Sequence, residues 1–254
     1  VSYMSEKIDL KNVTFIIPIR IEHENRLENL EVVIDYLDHH FDTNIMVFES
    51  SPQSMLMHHP CIKKVKYIWE FSDDETFHRT KILNNMLEEV ETEFVANYDT
   101  DVLFPVQSYI DTVEELKKGK AIVFPYLGPF HEVNRKFIPE IREKKEVNWI
   151  PLNECGINHP NSVGGAIFFN TKIYKSLGGE CEPFFSWGAE DNFRVNMFQI
   201  FGYEIVRVGT VLYHLEHWRG KNSTEKNPHY YKNMQIFYDT AYMTKEQMRT
   251  FIDT

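Results

Sequence analysis

Short clusters spread along this chain combine residue types that hold cations, phosphates or protons. Asp99-Thr100-Asp101 follows a short apolar run, Phe94-Val95-Ala96, and apolar residues resume until Pro105 stops any further strand. If the backbone stays extended through both aspartates, the period of two puts their carboxylates on one face. Together they can then hold a divalent cation, and the cation a diphosphate. An isolated Asp-x-Asp equally suits a polar surface turn. Elsewhere stand Pro18-x-Arg20, Phe77-x-Arg79-x-Lys81, the run from Trp187 to Glu190-Asp191, and His214-x-x-His217. Each has a plainer reading when taken alone. Arg79 and Lys81 suit a solvated helix start, Trp187 a core or rim position, and Glu190 and Asp191 a first helical turn. His214 and His217, after an apolar strand, suit packed side chains as well as ligands. All nonetheless fall at expected strand ends or loops, in an order and spacing that chance does not supply.

The elements that must position them follow from periodicity. Val13 to Ile19 is a nearly unbroken apolar run, as in a central parallel strand, with Pro18 and Arg20 at its C-terminal end. A helix is expected from about Glu24 to His40, strands at Ile45–Phe48 and Val65–Trp69, and an amphipathic helix from Arg79 to Val90 that leads into the Phe94 strand. This repeated β-α-β order predicts an α/β protein with a mostly parallel central sheet flanked by helices. Ligands of such sheets sit beyond the carboxyl ends of the strands, where Arg20 and Asp99 to Asp101 are expected.

A helix over Val106–Lys118 and a strand over Ala121–Phe124 extend the pattern. Tyr126 to Pro160 breaks it: charged, rich in Pro and Asn, and without period, it reads as a long insertion or flexible loop. Order returns with a strand from Val163 to Phe169 that opens on Gly164-Gly165. A helix from Thr171 to Leu177 is then closed by Gly178-Gly179, and a further helix to Phe201 and a strand over Glu204–Val208 follow. The polar, aromatic tail after Gly220 shows no clear element. No repeat or linker divides the chain, which reads as a single domain over residues 1–254.

Composition bounds the function. With 43% hydrophobic and 26% charged residues the chain reads as an ordinary soluble globular protein. No window approaches the roughly eighteen continuous apolar residues of a membrane span, and the N-terminus has no signal-peptide core. The formal charge of -11 argues against nucleic acid as a partner, because phosphate backbones are bound through concentrated Lys and Arg. A nucleotide held through a metal remains compatible with it. Cys61, Cys155 and Cys181 are odd in number and lack metal-ligand spacing, so reduced thiols and a cytoplasmic setting are expected.

The clusters in combination resemble the metal-dependent glycosyltransferases of the GT-A fold, a Rossmann-like architecture, and most closely the β-1,4-galactosyltransferases and their bacterial relatives. The likeness runs from about Thr14 to His217, with a gap over the insertion. FHRTKILNNMLEEV followed by DTD is similar to that family's Phe-x-Arg-x-Lys helix ahead of its Asp-x-Asp strand. VGGAIFFNTKIYKSLGG followed by FFSWGAEDN is similar to its Gly-Gly strand and Trp-Gly-x-Glu-Asp segment.

The resemblance implies a nucleotide-binding half over about 13–125 and an acceptor-binding, catalytic half over about 126–254. It implies that Pro18, Arg20, Phe77, Arg79 and Lys81 belong to the nucleotide side, with Arg79 near the diphosphate. Asp99 would approach the ribose or donor sugar, and Asp101 would ligate the metal. Gly164 and Gly165 would let backbone approach the sugar, Trp187 would stack on it, Glu190 would hold hydroxyls and Asp191 would be the catalytic base. Of the two histidines, His214 is the first expected ligand beside Asp101, with His217 as its alternative or companion. A carboxylate-imidazole set suits Mn2+, with Mg2+ second. The expected reaction is inverting transfer of a hexose, galactose or N-acetylgalactosamine, from a UDP-sugar to a glycan or other hydroxyl acceptor. Missing cysteine pairs and anchor favour a bacterial, cytoplasmic enzyme, free or at the membrane surface, of the polysaccharide-building kind. The alternatives are a retaining transferase similar to the polypeptide N-acetylgalactosaminyltransferases and a non-catalytic sugar- or nucleotide-binding protein of the same fold. A nucleotidyltransferase is disfavoured, because Ile19-Arg20-Ile21-Glu22-His23 is not the Gly-rich basic loop it needs.

Overall fold

The apolar run around Phe15 forms the middle of the molecule: β1 (Ile8–Ile19) is buried continuously from Val13 to Ile19. A computed structural model describes residues 6–158, 160–220 and 223–254. β1 lies between β2 (Phe41–Ser51) and β4 (Phe94–Tyr98), parallel to both, and β3 (Lys66–Phe71) continues the parallel set beyond β2. Both faces of β1 are covered from Val13 onward, so the run to Ile19 is apolar, Thr14 aside, rather than alternating. α1 (Glu24–His40) packs on this half through Leu30, Val33, Ile34 and Leu37 and starts at His23, whose ring accepts the Asn25 N–H. α2 (Arg79–Glu88) delivers the chain to β4.

Beyond β4 the sheet becomes mixed. β5 (Val102–Leu103) is followed by α3 (Val106–Lys117), β6 (Ile122–Val133), α4 (Ile138–Lys144), β7 (Gly156–Asn158), β8 (Ala166–Asn170) and α5 (Thr171–Ser176). Then come α6 (Glu190–Ile200), β9 (Ile205–Leu215), α7 (Tyr230–Thr240) and α8 (Lys245–Ile252). Among the described residues the strand order is β3-β2-β1-β4-β8-β6-β9-β5, with β7 on β6. β8 runs antiparallel to β4 and β6, whereas β6 and β9 are parallel. The α/β class and the helix-flanked central sheet are as expected, with parallel pairing over β3-β2-β1-β4.

The stretch read as an insertion or flexible loop is instead built. β6 carries on through Tyr126 to Val133, α4 follows, and β7 returns against Phe130–Glu132. Pro125, Gly128 and Pro129 hide the strand pattern, because the register against β9 shifts between Phe124 and Tyr126 and again before Phe130. Such irregularities let a strand carry proline without losing ladder bonds. The tail after Gly220 likewise forms α7 and α8, whose buried contacts are few and specific: Asn233 and Thr240 on one, Met248 on the other. Neither shows a broad apolar stripe in sequence.

Candidate active site

The strand tips converge on one cavity of about 310 Å³. It is bordered by Pro18, Arg20, Phe77, Arg79, Asp99, Asp101, Gly164, Gly165, Trp187, Glu190, Asp191, His214 and His217. Lys81 is the exception: it points to solvent on the second residue of α2 after Arg79 and does not border the cavity. Successive helical positions face different ways, so the basic pair of the motif is split.

The Asp-x-Asp segment does not stay extended. β4 ends at Tyr98 and Asp99 to Asp101 turn before β5, so the two carboxylates meet different partners rather than sharing one face. Asp99 Oδ1 accepts from Arg79 Nη2 at 2.7 Å, and its backbone N–H donates to Gly165 O at 2.8 Å. Asp101 faces the histidines. β5 pairs antiparallel with β9, placing Val102 opposite His214, and Leu215 N–H donates to Asp101 O at 2.7 Å. His214 Nε2 thereby lies 3.5 Å from Asp101 Oδ1, and His217 Nε2 3.0 Å from Asp101 Oδ2. Sequence favours His214 as ligand; the fold brings both rings to the carboxylate.

This trio fits a divalent cation. One ligand atom from each residue lies within 4.8 Å of the others. The Nδ1 atoms face away from Asp101: His214 Nδ1 meets Glu132 Oε2 at 2.9 Å and His217 Nδ1 meets the Trp218 carbonyl at 2.7 Å. With the proton on Nδ1, each Nε2 presents its lone pair toward Asp101, the arrangement that second partners impose on metal-binding histidines. Glu132, on β6, was not singled out from sequence, and neither was Arg26, whose Nη1 is 4.0 Å from Asp101 Oδ2. Burial opposes charge on Asp101, yet His214, His217 and Arg26 hold its carboxyl well below the usual range. At Asp99 burial wins over Arg79, helped by the charges of Asp101 and Asp191, and the carboxyl is raised.

Arg79 keeps a second function open. Its Nη1 is buried and has no protein partner among the described residues, a donor that a polar ligand in the cavity can satisfy. Arg20, by contrast, is occupied: Nε donates to Ser50 O, Nη1 to Asp74 O and Nη2 to Ser72 Oγ, while its guanidinium stands 5.7 Å from the Phe77 ring centroid. It builds the wall rather than offering a free charge.

On the other half, the turn before α6 is strained. Ser186, Gly188 and Ala189 have φ of 58°, 129° and 62°. Glu190 Oε2 accepts the Gly188 N–H at 2.8 Å, and burial, then the Asp191 charge, push the Glu190 carboxyl up to about 7. The unplaced tail braces this turn. Tyr230 stacks on Trp187 with centroids 5.8 Å apart, Asn227 donates to the Trp187 carbonyl, and Asn233 bonds both N–H and C=O of Phe185.

Asp191 Oδ1 accepts from Arg194 Nη1 at 2.7 Å, and Oδ2 rests against Gly164, where an added Cβ would stand 2.4 Å away. Gly165, at φ +78°, meets Phe130 and Leu212, where a Cβ would be 2.8 and 2.9 Å from their atoms. Both glycines border the cavity, but what demands them is packing against the protein's own side chains. Tyr126 anchors this corner, its hydroxyl donating to Gly164 O at 2.7 Å.

No family model and no curated protein matches this sequence. Solved structures do match in shape. Staphylococcus aureus TarS in complex with UDP-GlcNAc superposes with a TM-score of 0.56 at 12% identity, covering 94% of this chain and 70% of that one. Glucosyl-3-phosphoglycerate synthase of Mycobacterium tuberculosis, with Mn2+, UDP and phosphoglyceric acid, gives 0.55 at 16% identity over 92% and 80%. The mannosyltransferase PcManGT of Pyrobaculum calidifontis, with GDP-Man and Mn2+, gives 0.53 at 15% identity over 98% and 69%. The sheet order, the cavity at the strand tips and these superpositions together show that the chain has the GT-A glycosyltransferase fold.

Proposed function

We propose that this protein is a metal-dependent glycosyltransferase that moves a hexose, galactose or N-acetylgalactosamine, from a UDP-sugar to a glycan hydroxyl with inversion. The observation that carries the reading is the meeting of Asp101, His214 and His217 in a cavity that also holds Arg79 and Asp191. Solved structures of this fold support it: the synthase structure holds Mn2+ with UDP, and TarS holds UDP-GlcNAc. Asp101, His214 and His217 are the residues to hold the ion, which when bound offsets negative charge growing on the leaving diphosphate.

The chain's own groups supply the rest. Arg79, fixed by Asp99, has a spare N–H for a phosphate oxygen, a charge-assisted bond stronger than a neutral one. Phe77 and Arg20 form a wall for the nucleoside, and the half-buried Trp187 offers a ring face to a sugar. Glu190, protonated over much of the range below pH 7, pairs with sugar hydroxyls and pins the turn through Gly188. Asp191 takes the proton as an acceptor oxygen attacks the anomeric carbon and the bond to the diphosphate breaks. A positioned base of this kind contributes on the order of a hundredfold or more. One displacement at one carbon inverts it.

Titration calorimetry of UDP with and without Mn2+ tests the reading on wild type and Asp101→Asn. Manganese-dependent UDP affinity is expected to vanish in the variant, and unchanged affinity would remove the metal site. Release of UDP from a panel of UDP-sugars, or of GDP from GDP-mannose, identifies the donor, and the proton NMR signal of the product's anomeric centre reports inversion.

A further inference from the structure

Asp191 is hydrogen-bonded to a buried cation, Arg194, and that cation is itself locked. Arg194 stands one turn beyond Asp191 on α6, on the same face. Its side chain is 2% exposed, and each of its three nitrogens donates a hydrogen bond. Nε and Nη2 donate to the two oxygens of Glu180 at 2.6 Å each, and Nη1 donates to Asp191 Oδ1 at 2.7 Å. Glu180 is a hub in turn. Its Oε1 accepts from Asn97 Nδ2 at 2.8 Å and from the Tyr174 hydroxyl. Its backbone exchanges two bonds with Asn84, N–H to Oδ1 at 2.7 Å and C=O from Nδ2 at 2.9 Å.

These partners sit on the elements that carry the rest of the site. Asn84 is on α2 with Arg79, Asn97 is on β4 just before Asp99, and Arg194 is on α6 with Asp191. A buried ion pair is a poor device for stability alone, since well-packed apolar residues of similar volume serve as well or better. It is a good device for holding a carboxylate at one place and angle. Asp191 is fixed from both sides, Oδ1 by the guanidinium and Oδ2 by the bare Cα of Gly164.

We propose that Arg194 and Glu180 are positioning residues: Arg194 leaves Oδ2 of Asp191 as the oxygen that receives the acceptor proton, and Glu180 sets Arg194 relative to α2 and β4. This rests on the assignment of Asp191 as base made above. Neither residue borders the cavity.

Arg194→Lys keeps the charge but cannot bond Glu180 twice and Asp191 once. Its crystal structure is expected to show the Asp191 carboxylate moved off Gly164 by about 1 Å, a displacement of the size that costs about a hundredfold in kcat. Manganese-dependent UDP affinity is expected to stay within about twofold. In an Asp191→Asn background the same substitution is expected to lower kcat no further, because two changes acting through one group do not add. Asp191 unmoved with kcat kept, or equal falls in both backgrounds, would overturn the proposal. Full turnover by Asp191→Asn alone would instead overturn the base assignment, while the crystallographic position of Asp191 still decides the positioning role. Should Arg194→Lys not fold, Glu180→Gln, which keeps one acceptor oxygen for the guanidinium, gives the same readings.

Discussion

Asp99 and Asp101 are two residues apart, the first half-buried and the second buried, yet their carboxyls are driven in opposite directions. Desolvation penalises each charge; Asp101 overcomes it with His214, His217 and Arg26, while Asp99 has Arg79 against the repulsion of Asp101 and Asp191. Glu190 is the third case, pushed up to about 7 by burial and then by Asp191. Its folded-state pKa lies above the ordinary glutamate value, so its contribution to stability is complete below about pH 4.5 and is lost as pH rises through about 7. Glu190→Gln removes that titration while keeping an acceptor for Gly188. Between about pH 5 and about pH 8 the wild type is expected to lose up to about 3 kcal/mol relative to the variant. That is several degrees of melting temperature for a chain of this size. Thermal unfolding of the two proteins across this range checks it, and parallel curves would rule out a raised Glu190.

At the scale of elements, the turn from Phe184 to Ala189 depends on α7. Three of its residues hold positive φ, two of them not glycine, a conformation that persists only where surroundings over-determine it. Asn233, fully buried, supplies part of that determination through both backbone groups of Phe185. Asn233→Ala removes the partner of the part-buried N–H and C=O of Phe185, at a cost of about 1–3 kcal/mol. It is also expected to weaken UDP-sugar binding more than UDP binding, because the turn carries Trp187 and Glu190 rather than the nucleotide wall. Melting curves and calorimetry with the two ligands check both statements; equal loss for UDP and UDP-sugar would detach the turn from the sugar. The same logic explains β6, whose prolines are tolerated because the register slips around them.

For the whole molecule the governing quantity is charge. In a chain with a formal charge of -11, the cavity sets Asp99, Asp101 and Asp191 against Arg20, Arg26, Arg79 and Arg219, so a free diphosphate gains little net attraction unless a cation intervenes. A UDP-sugar is therefore expected to raise the melting temperature only with Mn2+ present, by the equivalent of about 2.7 kcal/mol at a hundredfold excess over Kd. Differential scanning fluorimetry with Mn2+ or with EDTA reads this directly, and an equal shift under both conditions would count against the metal. No helix among the described residues is long and apolar enough to cross a membrane.

Local pattern alone was enough for most of the parallel half. The run at Val13–Ile19, the helical spacing over Glu24–His40 and the motif clusters are properties of neighbouring residues, and the fold keeps them in place. Nearly every cluster named from its residue types reaches the cavity, since strand tips of such a sheet point one way. What only tertiary structure decided are matters of pairing between remote segments. The turn at Asp99–Asp101, the arrival of both His214 and His217 at Asp101, the Glu132 partner and the Glu180–Arg194 lock all depend on which strand lies beside which, and in what register. Lys81 left the site because a helix turns its side chains, and the C-terminal tail entered it through the Asn233 bonds and the packing of Ile236 and Phe237, which no pattern in the tail announces. Spacing along a chain encodes periodicity and local bonds; it does not encode which distant carboxylate a buried guanidinium will meet.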